Sequence, residues 1–593
     1  MVQLQNSSPH TFHIPVMGTG FTIDTPLRVA RYGISSVISL VDDVLIEQMR
    51  NYHCEKAGKS YEEIPTSDRD ARAHRITAYL NLIDDLVKKQ VEELRNSPFE
   101  EESEITRYYT MLPESRLKDD YNTMLTTPDP EEKARRQADL RKQVAPGAID
   151  VNIMTKLDCN RYKNGVMPPP EFSDAKSALR GYARSTLRSS MVCSAGMNRE
   201  FYNYFTSFDD FFPNGDGALQ KKITLKVSDF RSAEIQGKFL AKRGLWVSEF
   251  RIESGLNCGG HAFATKGVLL GQILKEFKVK REELLEKLHT VYNDTLTTLG
   301  RPVFDEPFDI RITVQGGIGT ASENEMLLKY YNADSTGWAT PFLLVPEAVN
   351  VDEAHLAKIL AARDEDIYLS DSSPLGIPFW NLRTSASEEA RRKRIRQNKP
   401  GSGCVKGYLK FDTEITDLPV CRASAIYQRK RLNLLENESL PPEQYHAKKE
   451  DILSKSCICN DLAGVATVRL GIDPEATSAV CCGPNIVNFT KIISLQEMID
   501  HIYGRISLLS NPERPHMFVR ELMIYIDYFR KEVEKGSREL TNQTQKYLTE
   551  FKKNLLDCIE DYLNLGEQFI EEQKERIISD LTTLKKKLES ISH

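Results

Sequence analysis

The sequence predicts an α/β protein: a (β/α)8 barrel with a helical insertion and a C-terminal, cysteine-containing, mostly helical extension. Two observations lead to this fold class. Short apolar segments typical of buried parallel strands alternate with helical segments over roughly 300 residues, once residues 43–145 are set aside. Glycine-rich loops follow several of these strands, where parallel α/β folds place their ligands. A doubly wound sheet is the alternative.

Seven strands are predicted from the apolar segments. They cover residues 13–17, 34–40, 148–154, 190–194, 222–227, 246–252 and 309–314. Thr25 and Pro26 predict the start of the first helix, because proline is favoured in a first helical turn. Residues 43–145 carry charged helical patterns without comparable strand signals, and we interpret them as a helical insertion.

These patterns divide the chain into four parts. They are a barrel (1–42 and 146–348), the insertion (43–145), a cysteine-rich extension (349–510) and a C-terminal helical segment (511–593). In the last part, apolar residues from Leu555 to Ile591 recur near the 3.5-residue spacing of a coiled coil. The pattern favours packing on the same subunit, with homo-oligomerisation through these helices as the alternative.

Composition excludes several classes of function. The 593 residues carry a net charge of −6, too mild and of the wrong sign for a general nucleic-acid or anionic-membrane binder. No apolar run approaches transmembrane length, and the start lacks a signal-peptide pattern. Eleven cysteines in a chain this long do not indicate a disulfide scaffold. We expect a soluble, cytoplasmic protein that acts on a small-molecule substrate.

The best-defined motif is a glycine-rich loop after the last predicted strand. Residues 316–319 read Gly-Gly-Ile-Gly, and Ser322 is placed to cap the next helix. Glycines let the backbone approach an anion closely, and barrel enzymes commonly bind phosphate after strands seven and eight. Residues 337–342 would supply the second half of such a site. The pattern predicts a phosphate cradle, although a plain tight turn has the same spacing.

Two further residues are candidates for chemistry. His261 lies on a Gly-Gly-His loop after a predicted strand, where its imidazole can move protons near neutral pH. A single histidine is more often structural. Lys226 lies in the strand at 222–227 and can stabilise negative charge on a reduced cofactor, or be an exposed strand-end lysine. Cys258 is interpreted as a small packed residue.

Taken in order, these segments resemble the FMN-dependent nitronate monooxygenases, formerly called 2-nitropropane dioxygenases. That family also includes flavin-type enoyl-acyl-carrier-protein reductases. The matching segments are PVMGTGF at 15–21, VNIM at 151–154, CGGH at 258–261, QGGIG at 315–319 and ATPF at 339–342. Their order and spacing agree with the family's pattern.

The resemblance implies an FMN-dependent oxidoreductase with the flavin at the C-terminal mouth of the barrel. NAD(P)H or a protein would be the electron donor. The catalytic residues it implies are His261, as acid or base, and Lys226, which also looks like the lysine near the flavin in glutamate synthase-type barrels. The cofactor-binding residues it implies are Met17, Gly18, Thr19, Asn152, Lys226, Gly260, Gly316, Gly317, Gly319, Ala339 and Thr340.

Several features depart from the family's pattern. Ala339 stands where the family has glycine, and both the insertion and the long C-terminal part are additions. The substrate therefore does not carry over. A flavin- or phosphate-ligand-binding barrel that acts as a non-catalytic, partner-binding protein is the alternative function.

Six cysteines crowd into one segment: Cys404, Cys421, Cys457, Cys459, Cys481 and Cys482. Their thiolates could supply soft ligands to an iron–sulfur cluster or to zinc. A cluster would suit electron transfer to FMN, so the sequence favours iron–sulfur over zinc. Buried thiols and redox-active cysteines are the alternatives.

Overall fold

A computed structural model describes residues 8–162, 166–194, 196–536, 542–565 and 571–592. Eight parallel strands close into a barrel in chain order, and His13 of β1 pairs with Gly337 of β8 at the seam. The strands are β1 (Phe12–Ile14), β2 (Ser35–Ser39), β3 (Ile149–Met154), β4 (Ser190–Ser194), β5 (Lys222–Val227), β6 (Val247–Glu253), β7 (Arg311–Gln315) and β8 (Ser335–Gly337). The predicted (β/α)8 barrel is confirmed.

Twenty α-helices lie within the described residues. Those that precede β7 are α1 (Thr25–Val29), α2 (Asp43–Lys56), α3 (Ala71–Asn96), α4 (Glu104–Met111), α5 (Arg116–Thr126), α6 (Pro130–Gln143), α7 (Asp174–Ala183), α8 (Arg199–Tyr204), α9 (Phe230–Ala241) and α10 (Leu270–Thr298). The first contains Pro26 in its opening turn, as predicted. Helices α2 to α6 occupy the stretch in which helices without strands were expected.

The remaining helices follow β7. They are α11 (Ala321–Glu325), α12 (Glu353–Leu360), α13 (Ala386–Arg396), α14 (Ala425–Glu436), α15 (Pro442–Ser454), α16 (Ile458–Arg469), α17 (Leu495–Ile502), α18 (Met517–Gly536), α19 (Asn542–Asn564) and α20 (Glu571–Glu589). The cap of α11 differs from the prediction, because Thr320 Oγ1 accepts the Glu323 amide N–H at 3.1 Å in place of Ser322.

Two features of the β-structure were not predicted, the last barrel strand and a separate hairpin. Strand β8 is only Ser-Thr-Gly, which has no apolar residue to signal a strand. A separate antiparallel hairpin, β9 (Ile367–Ser370) and β10 (Phe379–Leu382), lies in the extension. It brings Phe379 into an isolated bridge with His261, so the extension contacts the loop after β6.

Charged side chains fill part of the barrel interior. Alternate residues of a strand point to the same face, so Glu249, Arg251 and Glu253 of β6 form successive layers. Arg251 Nε donates to Glu249 Oε1 at 2.7 Å, and its Nη2 lies 3.6 Å from Asp150 Oδ2 on β3. Glu253 and Asn152 lie nearer the carboxyl ends of their strands, where the site forms.

The C-terminal helices pack on the rest of the chain. Phe518 of α18 stacks on Tyr562 of α19 at a ring distance of 5.0 Å. The predicted seam residues Leu555, Ile559, Tyr562, Ile577, Leu581, Leu584 and Leu588 are all buried. Association of two copies through these helices stays a prediction. Among the described residues, no helix is both long enough and apolar enough to cross a membrane.

Candidate functional site

A cavity of about 390 Å³ lies at the carboxyl ends of the barrel strands. Its volume falls within the range of small-molecule and cofactor sites, about 300–1,000 Å³. The predicted site residues that line it are Met17, Gly18, Thr19, Asn152, Lys226, Gly260, His261, Gly316, Gly317, Ala339 and Thr340. Residues distant in sequence therefore meet at one mouth, because parallel strands end at the same edge.

The extension forms the roof of this cavity. Leu409, the first turns of α16 with Ile458, Cys459 and Leu462, and the loop at 481–485 all line it. None of these was predicted to line the flavin site, although Cys459 and Cys481 were predicted as metal ligands, because apolar residues on a helix are locally indistinguishable from ordinary core. Their placement across the mouth depends on long-range packing alone.

The glycine loop after β7 has the backbone that its sequence suggests. Gly316 has φ +111° and Gly317 has φ +79°, a region that L side chains rarely adopt. A Cβ atom on Gly317 would lie 2.0 Å from Asn257 Nδ2, and one on Gly316 would lie 2.9 Å from Ser254 Cβ. Glycine is therefore required at both positions, because the loop after β7 approaches the loop after β6 closely.

Gly319 was predicted to bind the phosphate, but its surroundings in the structure are different. It does not line the cavity; its amide N–H donates to Glu323 Oε2 at 2.8 Å, and a Cβ there would meet the Arg514 guanidinium at 2.7 Å. The structure thus places Gly319 behind the loop, against a buried ion pair. Arg514 Nη2 in turn donates to the Gly317 carbonyl at 2.7 Å, so the C-terminal part of the chain holds the loop from behind.

Lys226 lies on the cavity wall. Its Nζ is 2.8 Å from Glu253 Oε2, and Gln315 Nε2 donates to the other carboxylate oxygen at 2.7 Å. The strands β5, β6 and β7 therefore each contribute one member of a Lys-Glu-Gln group at the mouth. The group places a cation beside the cavity while its carboxylate partner fixes the direction of the ammonium.

His261 is on the loop after β6 and also lines the cavity. Its Nε2 is 2.8 Å from Ser373 Oγ, and its ring meets Phe379 edge to face at 5.1 Å. Burial and the neighbouring Lys226 charge lower the pKa of His261 to about 4. The imidazole is therefore neutral at pH 7, which suits it to accept a proton or to donate a hydrogen bond.

Four buried polar atoms on the wall lack a hydrogen-bond partner within the described part of the chain. They are Thr19 Oγ1, Asn152 Oδ1, Asn257 Oδ1 and Gln315 Oε1. An unsatisfied buried group of this kind costs about 1–3 kcal/mol. All four residues line one cavity, so a bound molecule with several donors and acceptors that reached these atoms would satisfy them together.

A buried carboxyl group lies behind the wall. Ser254 Oγ donates to Glu521 Oε1 at 2.5 Å, and the Leu270 amide donates to Oε2 at 3.0 Å. Burial raises the pKa of Glu521 to about 7 despite these two hydrogen bonds. Ser254 lines the cavity, so this carboxyl group is one hydrogen bond away from it. The sequence alone did not indicate Glu521.

The structure gives no support to the predicted metal site. Among the described residues, no group of three or more His, Cys, Asp or Glu side chains is arranged to hold a metal ion. The neighbouring Cys421 lowers the pKa of Cys404 to about 7, and the neighbouring Cys459 lowers the pKa of Cys457.

The other two predicted ligands, Cys481 and Cys482, are on the loop at 481–485, and Cys481 lines the cavity. Cys481 Sγ would lie 3.3 Å from a Cβ on Gly18, and the Cys481 carbonyl faces Gly259. Burial raises the pKa of both Cys481 and Cys482 above the usual thiol range, to about 12 for Cys481. Cys258 is buried with a pKa raised in the same way, in agreement with its interpretation as a packed residue.

Comparison with known proteins adds little beyond the fold. No protein-family model matches the sequence, and no curated protein matches it significantly. The enoyl reductase domain of MlnA from the macrolactin biosynthesis cluster of Bacillus amyloliquefaciens has a TM-score of 0.34 and 14% identity, with 74% of this chain and 89% of that chain covered. The nitroalkane oxidase of Streptomyces ansochromogenes has a TM-score of 0.28 and 10% identity, with 63% and 84% covered. Similarity at this level assigns neither a family nor a substrate.

Proposed function

We propose that this protein is an FMN-dependent oxidoreductase whose flavin lies in the cavity at the barrel mouth. The observation that carries the proposal is the set of four unpartnered polar atoms, which includes Asn152 Oδ1 and Thr19 Oγ1. An isoalloxazine ring presents an N–H donor beside two carbonyl acceptors, and a ribityl chain adds hydroxyl groups. Such a molecule matches a wall that offers unpaired acceptors and hydroxyls along an otherwise apolar cavity.

The charges and loops around the cavity also fit FMN. Gly316 and Gly317 allow backbone amides to approach a phosphate, and Thr340 lies on the same wall. Lys226 is a cation beside the cavity, which would stabilise the negative charge of a reduced flavin. Gly319 is no part of this cradle in the proposal, since its amide is bonded to Glu323.

When bound, FMN would supply hydride or electron transfer. The residues around it would bind the ring, direct the substrate and exclude water. His261, neutral at pH 7 and hydrogen-bonded to Ser373, would accept the substrate proton. The roof formed by α16 and the loop at 481–485 would shield the reacting atoms from bulk solvent.

The substrate class is left open by these contacts. The resemblance to nitronate monooxygenases and flavin enoyl reductases suggests a small molecule with an activated C–H or C=C bond. NAD(P)H or a protein would supply the electrons. A neutral His261 is in the state that accepts a proton, which suits removal of a proton from an activated C–H bond.

The proposal is tested by the absorption spectrum of the purified protein and an anaerobic reductant titration. An FMN spectrum that bleaches on reduction and returns with an oxidant supports an oxidoreductase. A flavin that binds but is not turned over with any electron donor and acceptor would favour the non-catalytic alternative. Protein that retains no flavin and binds none on addition of FMN would contradict the proposal.

A further inference from the structure

The cavity has a second end, away from the glycine loop. The segments that follow β3, β4 and β5 line this end with Lys156, Gly196 and Ser228. Because the eight strands close in chain order, β3 and β4 lie across the barrel from β7 and β8. This end is therefore opposite the loop that we propose to hold the FMN phosphate.

Lys156 extends over the loop that follows β4. A Cβ atom on Gly196 would lie 2.8 Å from Lys156 Cε and 3.0 Å from its Nζ, so the lysine side chain runs along the Gly196 backbone. Within the described residues, Lys156 forms no ion pair. Its ammonium group is thus available to a ligand of the cavity.

Hydrogen bonds fix the backbone on which Lys156 stands. The Thr155 amide donates to the Ser194 carbonyl at 2.9 Å, and Asn198 Nδ2 donates to the Thr155 carbonyl at 2.9 Å. The segment after β3 is therefore bound both to β4 and to the start of α8. Although the Lys156 side chain is exposed, its point of attachment is held against the loop that it crosses.

Gln236 of α9 supplies a second donor to the cavity. Only 6% of this residue is exposed, and it lines the cavity. The Tyr202 hydroxyl donates to Gln236 Oε1 at 2.7 Å, which fixes the amide group and leaves Nε2 without a partner in the described part of the chain. Because a buried N–H group without an acceptor is unfavourable, a ligand oxygen at this end would be stabilised.

The charges of the cavity wall favour a ligand with a single negative charge. Among the described residues, the charged side chains that line the cavity are Lys156, Lys226 and Glu253. Lys226 is paired with Glu253, so Lys156 remains as the one uncompensated cation. The two oxygens of a carboxylate can accept from an ammonium and from an amide N–H, whereas a doubly charged phosphate would leave one charge unbalanced.

We infer that Lys156 and Gln236 form a subsite for a carboxylate group of the substrate. The inference rests on the proposed function and narrows its open substrate to small organic acids. Both residues would bind and orient the acid, and neither would take part in the chemical step. The carboxylate would lie at the end of the cavity opposite the glycine loop.

Crotonate and crotonamide are suitable probes, because they have nearly the same shape and differ in charge. Isothermal titration calorimetry of the FMN-loaded protein, without an electron donor, measures the affinity for each. We expect wild type to bind crotonate about tenfold more tightly than crotonamide, as hydrogen bonds to a charged group predict. Lys156→Met and Gln236→Leu should each reduce this preference and leave the affinity for crotonamide unchanged.

Lys242→Met is the matched control, since Lys242 is also exposed but does not line the cavity, and it should keep the full preference. Equal affinities for the two probes in wild type, or no saturable binding of either, would overturn the subsite. Weaker FMN binding by Lys156→Met would assign the lysine to the cofactor and would overturn it as well. If wild type binds no FMN but still prefers crotonate through Lys156, the proposed cofactor fails and the carboxylate subsite stands.

Discussion

Arg514 and Glu323 form a buried ion pair directly behind the glycine loop, with Arg514 Nη1 2.6 Å from Glu323 Oε1. The same guanidinium donates to Asn485 Oδ1 at 2.8 Å and to the Gly317 carbonyl at 2.7 Å. Asn485 itself lines the cavity. One side chain from the segment before α18 therefore fixes both the glycine loop and part of the roof.

Removing this guanidinium should loosen the loop. Arg514→Met leaves Glu323 buried without its partner, and breaking such a pair costs about 3–5 kcal/mol. We expect a lower free energy of unfolding, measured with urea, together with weaker FMN binding. Arg520→Met is the control, since Arg520 pairs with the exposed Asp364. Unchanged FMN affinity in folded Arg514→Met would contradict this role.

The close approach of the glycine loop to Asn257 can be tested by substitution. Gly317→Ala places a Cβ 2.0 Å from Asn257 Nδ2 at φ +79°, so the loop must shift and FMN retention should be lost. Gly300→Ala is a matched control: its φ is +63°, and nothing lies within 4 Å of its Cβ. Both variants bear the backbone penalty of a Cβ at positive φ, about 1–2 kcal/mol, so a similar loss of flavin in both would rule out the loop as its cause.

The chemical role of His261 is tested by truncation. His261→Ala should keep FMN bound but slow substrate-dependent flavin reduction by about 10²–10⁴-fold, the usual effect of losing a positioned acid or base. Ser373→Ala should have a smaller effect, because it removes only the hydrogen bond that orients the ring. Stopped-flow absorbance measures both. An unchanged reductive step in His261→Ala would make the histidine structural.

The buried carboxyl of Glu521 predicts a pH effect on stability. Its pKa is about 7 in the folded protein and 4.5 as the ordinary value, so the unfolded chain ionises first as pH rises. Folding stability is then lost between pH 4.5 and 7, and the loss stays constant above this window. Glu521→Gln lacks this titration.

Urea unfolding of the two proteins at several pH values measures the effect. Relative to wild type, Glu521→Gln should gain on the order of 3 kcal/mol in unfolding free energy from pH 4.5 to 7.5, since one pKa unit corresponds to about 1.4 kcal/mol. A difference that does not change with pH would mean that Glu521 has an ordinary pKa.

Most of the barrel could be predicted because its strands are apolar segments bounded by glycine and helix-start signals. Strand β8 could not, since Ser335, Thr336 and Gly337 are held by pairing with β1 and β7 rather than by their own propensity. The buried charge of Arg251 could not be predicted from the local sequence either. Glu249 and Asp150 balance this charge only when the barrel is closed.

The site residues that follow barrel strands could be predicted from the sequence, whereas those that come from the extension could not. Lys226, His261 and Asn152 sit at or just beyond strand ends, and the barrel geometry brings them to one cavity. Gly319 carries the same local signal as Gly317, and only the position of Arg514 separates them. The number and spacing of the cysteines suggested metal ligands, whereas their arrangement depends on how three distant segments meet.

Binding of FMN by the unpaired atoms of the cavity wall is measured by equilibrium titration of flavin-depleted protein with FMN. Asn152→Leu removes the unpartnered Oδ1 at similar volume, so it should stabilise the empty protein while weakening FMN binding at least about tenfold. Ser248→Ala removes an unpartnered buried hydroxyl on β6 that does not line the cavity, and should leave FMN binding unchanged. The account predicts one FMN per chain in wild type and in Ser248→Ala, with reduced affinity in Asn152→Leu. No FMN binding to wild type, or equal affinity in all three proteins, would contradict it.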